Sequence, residues 1–445
     1  MKLSDRLPPF LTRRLAGRAT LQQALDNSAW LFADQVVRMA AGLLVGVWLA
    51  RYLGPEQYGW LNYATAIFGT VGAFTSLGMN AVVVRELAKD PAAADSWMGA
   101  AFFLKSLGGT VGFLICLGAA WLQPAAMSAT RPLIVIVALG LFFQGLDVYD
   151  VYFQATGASR VSAWVRIAAC VLANLLKVGL ILAQASLAVL AATATVELAF
   201  AAAGWLIAGG RTGHAPGGFR VDRGHVATLL RESWPLALSG LAIYVQAYAD
   251  QLVIGLFLGG TPLGEYSAAL RLVAVFGFVP MVLQTVASPE ITRAKRDDAQ
   301  LYRRRLYDFY RLMFVVFVCT AGPMIVAGPW VITRLFGASY AGAAALVPLL
   351  AFRLFFTNLG VARSVFITNE SLFRFALGTA VAGAVVNLLC NVWWVPVWGA
   401  RGAILASFVS FGVTTFGLEA FQPAARANLR LMARAIFLPW RPFNG

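Results

Sequence analysis

The chain has 445 residues, 60% of them hydrophobic and 12% charged, with a formal net charge of +15, a mean hydropathy of +0.73 and a pI near 10.1. That balance excludes a soluble globule, which needs far more polar surface, and identifies a polytopic membrane protein. An outer-membrane barrel is excluded as well, because its strands alternate in polarity over about ten residues, whereas the apolar runs here are long and unbroken.

Residues 1–26 carry Lys2, Arg6, Arg13, Arg14 and Arg18 without a continuous apolar core or cleavage site. They read as a basic surface segment rather than a secretory signal. Leu7, Phe10, Leu11 and Leu15 offer an apolar face to headgroups, with a plain tail as the alternative. Roughly 20 apolar residues span a bilayer as a helix, and on that scale the chain is all-α with about twelve transmembrane helices.

The first span is placed at Asn27 to Tyr52 and the second at Tyr58 to Met79, joined by the elbow ARYLGPEQYGWLNYA, Ala50 to Ala64. Spans three to six follow at Trp97 to Leu122, Pro132 to Gln154, Arg160 to Ala183 and Ser186 to Ala208. The polar stretch Gly209 to Arg231, with RTGHAPGGFR at its centre, is too rich in Gly and Pro for regular structure. Spans seven to nine are placed at Ser233 to Leu258, Glu265 to Ser288 and, after a basic loop, Tyr307 to Leu335. Spans ten to twelve cover Ala343 to Thr368, Leu372 to Val395 and Arg401 to Ala420. A basic amphipathic tail closes the chain, with Arg426, Arg430 and Arg434 at helical spacing.

Leu53, Gly54, Gly59 and Ala64 recur at a constant offset of 205 as Leu258, Gly259, Gly264 and Ala269. The chain therefore reads as two parallel repeats: an N-lobe over 27–208, a linker over 209–232, a C-lobe over 233–422 and a tail over 423–445. Lys and Arg outside the spans collect on one side, with Arg293, Lys295, Arg296, Arg303, Arg304 and Arg305 in one loop. The positive-inside rule makes that side, and both termini, cytoplasmic. Transporters that alternate access between two lobes share this organisation.

A charge deep in a span costs about 2.5–3.5 kcal/mol on insertion scales and marks a cavity or a partner. Asp34 and Arg38 are i,i+4 neighbours able to pair on one face. Gln144, Asp147, Asp150 and Gln154 make a polar stripe in span four, beside Arg166 and Lys177 on one face of span five. Lys105 lies in span three and Glu197 in span six; the second half adds Asp250 with Gln246, then Arg271, Arg353, Asn358 and Arg363. The basic set Arg38, Lys105, Arg166, Lys177, Arg271, Arg353 and Arg363 suits an anionic, oxygen-rich ligand, because arginine forks match phosphate and carboxylate. Lys105, Arg166 and Arg363 lie within two turns of a span end, where snorkelling is the alternative. Asp34, Asp147, Asp150, Glu197 and Asp250 are the ion-coupling or gating candidates.

The four cysteines, Cys116, Cys170, Cys319 and Cys390, sit in apolar runs at unrelated spacings and read as small buried residues, not a disulfide framework or metal site. Trp121, Trp393, Trp394 and Trp398, with Trp97 and Trp234 at the opposite ends, fit interfacial belts. His214 and His225 do not form HExxH, and no P-loop is present, so an ATP-driven pump is excluded and no cofactor or metal is expected.

The elbow, the helix before it and SLGMNAVVVRELAKDP resemble the Wzx-type O-antigen and exopolysaccharide-unit flippases of the multidrug/oligosaccharidyl-lipid/polysaccharide exporter superfamily. WPLALSGLAIYVQAYADQLVIGLFLG and GEYSAALRL are similar to that family's seventh and eighth spans. The likeness covers essentially the whole chain, most strongly Asn27 to Pro91 and Trp234 to Leu272. It implies two six-helix lobes around a cationic cavity that move an undecaprenyl-pyrophosphate-linked oligosaccharide to the outer leaflet of the bacterial inner membrane. It further implies a monomer coupled to H+ or Na+, with membrane lipids and the pathway's polymerase and chain-length regulator as partners and no nucleic acid. The rivals are a lipid II flippase, a cation-coupled drug exporter, and a membrane-embedded glycosyl- or acyltransferase. The basic residues in the spans disfavour the drug exporter, and the short loops disfavour the enzyme.

Overall fold

The structure, a computed structural model, describes residues 19–76, 78–212 and 216–437. Residues 1–18, which hold most of the expected basic N-terminal segment, His214 in the linker and the last residues of the tail, 438–445, lie outside them. Among the described residues every regular element is a helix, as an all-α membrane protein requires: in lipid each backbone N–H must find its carbonyl within the segment.

The first helix, α1 (Ala19–Thr75), has 57 residues. At 1.5 Å per residue that is about 86 Å, nearly three times the roughly 30 Å hydrocarbon core. Gly54 breaks it with φ 71° and ψ 170°, a region open essentially to glycine alone, and Pro55 presets the first φ of the second arm. Eleven segments of the described residues are long and apolar enough to cross a membrane, and the first, Phe32–Lys89, carries this break; counted as two, it brings the spans to twelve.

The remaining helices are α2 (Asn80–Lys89), α3 (Ala94–Trp121), α4 (Thr130–Ala138), α5 (Val148–Ala155), α6 (Ser159–Leu182) and α7 (Leu187–Gly210), then α8 (Arg223–Leu258), α9 (Gly260–Ala274) and α10 (Phe278–Asp297). They continue through α11 (Ala299–Phe336), α12 (Ala341–Asn369), α13 (Phe373–Trp398), α14 (Ala400–Gly412) and α15 (Pro423–Phe437). Gly259 repeats the device of Gly54, with φ 88° and ψ −169°, and Gly399 sits in a like position between α13 and α14 (φ 61°, ψ −148°).

Four expectations change. The linker is not irregular throughout, because α8 starts at Arg223, where the Asp222 side chain accepts the His225 N–H at 2.9 Å and so caps a first-turn donor. The basic loop is helical up to Asp297 and again from Ala299, with Asp298 accepting the Gln300 N–H at 2.8 Å. Span four is not one α-helix: Leu139–Asp147 tightens to 3-10 geometry between α4 and α5. Trp97 is buried, 4.1 Å from the His225 ring, rather than belted at an interface. Cys116 and Cys170 are buried as expected, Cys390 is half-buried and Cys319 is exposed.

Asp222 is solvent-exposed, and the His225 backbone N–H, then the His225 ring, hold its carboxyl below the usual carboxylate range. A lowered native value means that the cap is complete above the ordinary carboxylate pKa and lost as the pH falls through the native one. Asp222→Ala is expected to speed proteolysis of the 211–222 connection at pH 7. The difference from wild type should close on acidification, as followed by limited digestion.

By packing, the chain divides into two units, Met1–Leu49 with Ile67–Gly240 and Ala50–Ala66 with Leu241–Gly445. The break between Gly240 and Leu241 falls inside α8, and the elbow's second arm packs with the later residues. In the first unit Met98, Tyr149 and Leu229 are wholly buried in one cluster that joins α3, α5 and α8. In the second, Tyr310, Met313 and Met432 bury the tail helix α15 against α11.

The elbow's place in the second unit has a direct cause. A Cβ on Gly59 would lie 1.9 Å from the Gly260 carbonyl oxygen, and one on Gly264 would lie 1.8 Å from that of Pro55. Under the offset of 205 these are the same contact made twice, once from each repeat. Arg271 Nη1 donates to Tyr58 Oη at 2.9 Å and Tyr340 Oη to the Ala50 carbonyl at 2.8 Å. Small residues that admit backbone to backbone replace hydrophobic association between helices in lipid.

Candidate functional site

In the first unit, α1, α5 and α6 bring three candidates together. Arg166 lies with Nε 2.9 Å from Asp34 Oδ2, and with Nη1 3.0 Å from Asp150 Oδ2. Asp34 therefore pairs across helices with Arg166, not along its own helix with Arg38, whose side chain is exposed. A guanidinium held between two carboxylates leaves that trio with one net negative charge. Asp34 Oδ1 has no hydrogen-bond partner among the described residues. Arg38, Lys177 and Glu197 lie within electrostatic reach of Cys170 on α6.

One helix pair away, the wholly buried Lys105 ammonium donates to Asp147 and, at 2.6 Å, to Asn80 Oδ1. Gln144 of the stripe accepts the Thr75 hydroxyl at 3.2 Å. The stripe is therefore shared between two ion-paired clusters. Across the first unit the basic candidates Arg38, Lys105, Arg166 and Lys177 are matched in number by Asp34, Asp147, Asp150 and Glu197.

The second unit holds two buried carboxylates. Asp250 on α8 is fully buried. It accepts from Tyr266 Oη at 2.7 Å, Asn391 Nδ2 at 2.9 Å, Asn387 Nδ2 at 3.4 Å and Ser407 Oγ at 2.5 Å. Arg353 Nη1 lies 3.5 Å away, with its guanidinium 5.1 Å from the Phe411 ring centroid. Gln246, one turn before Asp250, donates instead to Ser410.

Arg363 Nε donates to the fully buried Glu419 at 2.8 Å, and Asn428 of the tail helix donates to the same carboxylate at 3.1 Å. Lys105, Arg166 and Arg363 thus end on carboxylates inside their units. Asn358 donates to the Met313 carbonyl and is structural. Arg271 has Tyr58 as its partner and no carboxylate ion pair among the described residues.

Several of these partners were not singled out from the sequence. Asn387 and Asn391 recur at i,i+4 in an otherwise apolar span, a legible signal of a polar face. Glu419 was legible as a lone acid closing span twelve. Asn80 and Tyr266 carry no such signal.

A groove of about 590 Å³ runs along α6 and α7, lined by Trp164, Leu172, Phe200 and Ile207, with Arg160 and Arg211 at the end where α6 begins and α7 finishes. The Arg160 guanidinium also sits 5.2 Å from the Trp30 ring centroid. This is an open apolar groove with cationic groups at one end.

The sequence profile of the polysaccharide biosynthesis proteins matches residues 24–295. The chain belongs to the polysaccharide biosynthesis protein family. No curated protein matches it. Among solved structures, this member of the family is similar to an inward-facing multidrug-resistance transporter of the MATE family in the MOP superfamily, with a TM-score of 0.70 at 14% identity over 89% of this chain and 96% of that one. It is also similar to a MOP-superfamily transporter from Pyrococcus furiosus, described as having a binding pocket of reversed polarity. That TM-score is 0.61 at 15% identity over 93% and 96%. A MATE transporter solved in complex with the ligand MaD3S gives 0.60 at 16% identity over 93% and 97%. At these identities the likeness is one of fold alone, that of an all-helical, multi-pass membrane protein.

Proposed function

We propose that the protein is a flippase that carries an undecaprenyl-pyrophosphate-linked oligosaccharide from the inner to the outer leaflet of the bacterial cytoplasmic membrane by alternating access, with both termini cytoplasmic. Membership of the polysaccharide biosynthesis family over residues 24–295 carries this reading. The α6–α7 groove supports its lipid part, since an open apolar groove ending in Arg160 and Arg211 suits an isoprenoid chain with a phosphate at its end. Among the described residues neither Arg38 nor Arg271 has a carboxylate ion pair, and we assign them to the anionic substrate. The ion-paired Lys105, Arg166, Arg353 and Arg363 primarily hold helices together.

Coupling to Na+ or H+ belongs to the same proposal. The buried Asn387 and Asn391 Oδ1 atoms beside Asp250 have no hydrogen-bond partner among the described residues, and oxygen acceptors next to a carboxylate suit a hard monovalent cation. The Asp34–Arg166–Asp150 trio offers a carboxylate oxygen for a proton.

Deleting the gene is expected to trap the lipid-linked intermediate on the cytoplasmic leaflet, read by accessibility to a membrane-impermeant glycan probe. An unchanged leaflet distribution would sink the flippase reading. Arg38→Ala and Arg271→Ala are each expected to cut transport at normal protein level by about 30-fold or more, the scale of a lost charge contact worth ~2 kcal/mol. Arg304→Ala should leave transport unchanged.

A further inference from the structure

The tail helix α15 is held by its buried face, where Asn428 donates to Glu419 and accepts from Tyr310 Oη at 3.0 Å. Its neighbouring face is not closed against α11. Between them lies a cavity of about 470 Å³, within the usual range for small-ligand sites. One wall is apolar, formed by Leu306, Phe366 and Leu431. The lining also carries Arg303 from α11 and Arg430 and Arg434, one turn apart, from α15.

None of these three guanidinium groups has an ion-pair partner among the described residues. The one acid in the lining, Glu370, is already paired with Lys295 at 2.9 Å. Tyr302, 7% exposed, also lines the cavity, beside Glu370.

We propose that this cavity binds a phosphate-bearing headgroup. The arginines take the phosphate oxygens through forked hydrogen bonds, and the apolar wall takes the adjoining hydrocarbon. Ala424 and Ala427, small side chains on the lining face of α15, leave the entrance open. The occupant bridges α11 and α15 and so clamps the tail helix. Basic pockets beside membrane helices recognise anionic lipids by this chemistry. A phosphorylated lipid and a soluble phosphate ester share it.

The test uses the full-length protein in detergent and does not require transport. Thermal stability is followed while titrating phosphatidylglycerol, phosphatidylcholine or inorganic pyrophosphate. Two variants address the site: the triple substitution Arg303→Gln, Arg430→Gln, Arg434→Gln removes its charge, and Ala427→Trp fills it while leaving the charge intact. The control is Arg304→Gln with Arg305→Gln, exposed arginines on α11 outside the lining.

Wild type is expected to prefer phosphatidylglycerol to phosphatidylcholine, and the triple variant to lose roughly fivefold in apparent affinity per arginine, on the order of a hundredfold in all. Ala427→Trp should lose the preference and the control should keep it. Retention of the preference in either site variant, or equal loss in the control, reduces the effect to a generally basic surface and overturns the proposal. Pyrophosphate that stabilises wild type but not the triple variant assigns a soluble phosphate ester, and stabilisation by the lipid alone assigns a lipid headgroup. Stabilisation by neither overturns the proposal.

Discussion

Gly264→Leu is expected to yield no monodisperse protein, and Gly59→Leu to fail in the same way. At both positions a Cβ meets backbone, 1.8 Å from the Pro55 carbonyl oxygen in one case and 1.9 Å from that of Gly260 in the other. A side-chain obstacle can rotate aside, but a carbonyl can retreat only if its helix moves by more than 1 Å. Overpacking a core typically costs ~1–3 kcal/mol; forcing two helix backbones apart exceeds that, against a total stability of about 5–15 kcal/mol. Even alanine should lower the thermal midpoint sharply at either site. Gly118→Ala is the matched control, since nothing lies within 4 Å of its Cβ position on α3, and it should stabilise by about 0.5–1 kcal/mol through helix propensity. Detergent size-exclusion profiles and thermal midpoints of the variants decide it. Normal folding of Gly264→Leu would disprove the interrepeat contact.

Asp250→Ala should be the most damaging change to a charged residue in the second unit. It removes the acceptor for Tyr266, Asn391 and Ser407 at once and strands Arg353, whose side chain is 14% exposed. Removing one partner of a buried pair costs about 3–5 kcal/mol, much of it the penalty of the remaining charge. Asp250→Ala with Arg353→Met should therefore be more stable than Asp250→Ala alone, a coupling of about 1–3 kcal/mol. The thermal midpoints of the four proteins in the cycle measure this. A double variant as unstable as the sum of its singles would show that Arg353 does not depend on Asp250.

The residues that punctuate the chain were the most legible. Gly54 with Pro55, and the copy at Gly259, are readable because only glycine takes that backbone turn and only a break can fit 57 helical residues to a bilayer. Charged residues in the spans were legible as costly, but their partners were not. Asp34 has Arg38 one turn away, yet α6 delivers Arg166 to 2.9 Å, and sequence spacing does not rank a neighbour on one helix against a residue on another. Glu419 was visible as a lone acid closing a span, but it lies 56 positions from Arg363, and spacing does not name that partner. Helix ends were lost where polarity imitated a loop: residues 293–305 are charged enough to look unstructured, yet helix surfaces tolerate charge, and only Asp298 interrupts them.

The one-residue connections at Gly54, Gly259 and Gly399 bear on how the protein can be mapped. A reporter domain or epitope tag inserted at any of them would have to splay two helices joined by a single amino acid, so a negative result there would report breakage rather than sidedness. The connections at residues 122–129 and 183–186 are longer and carry no such constraint. Tags that test which face of the membrane these ends occupy belong in those two places.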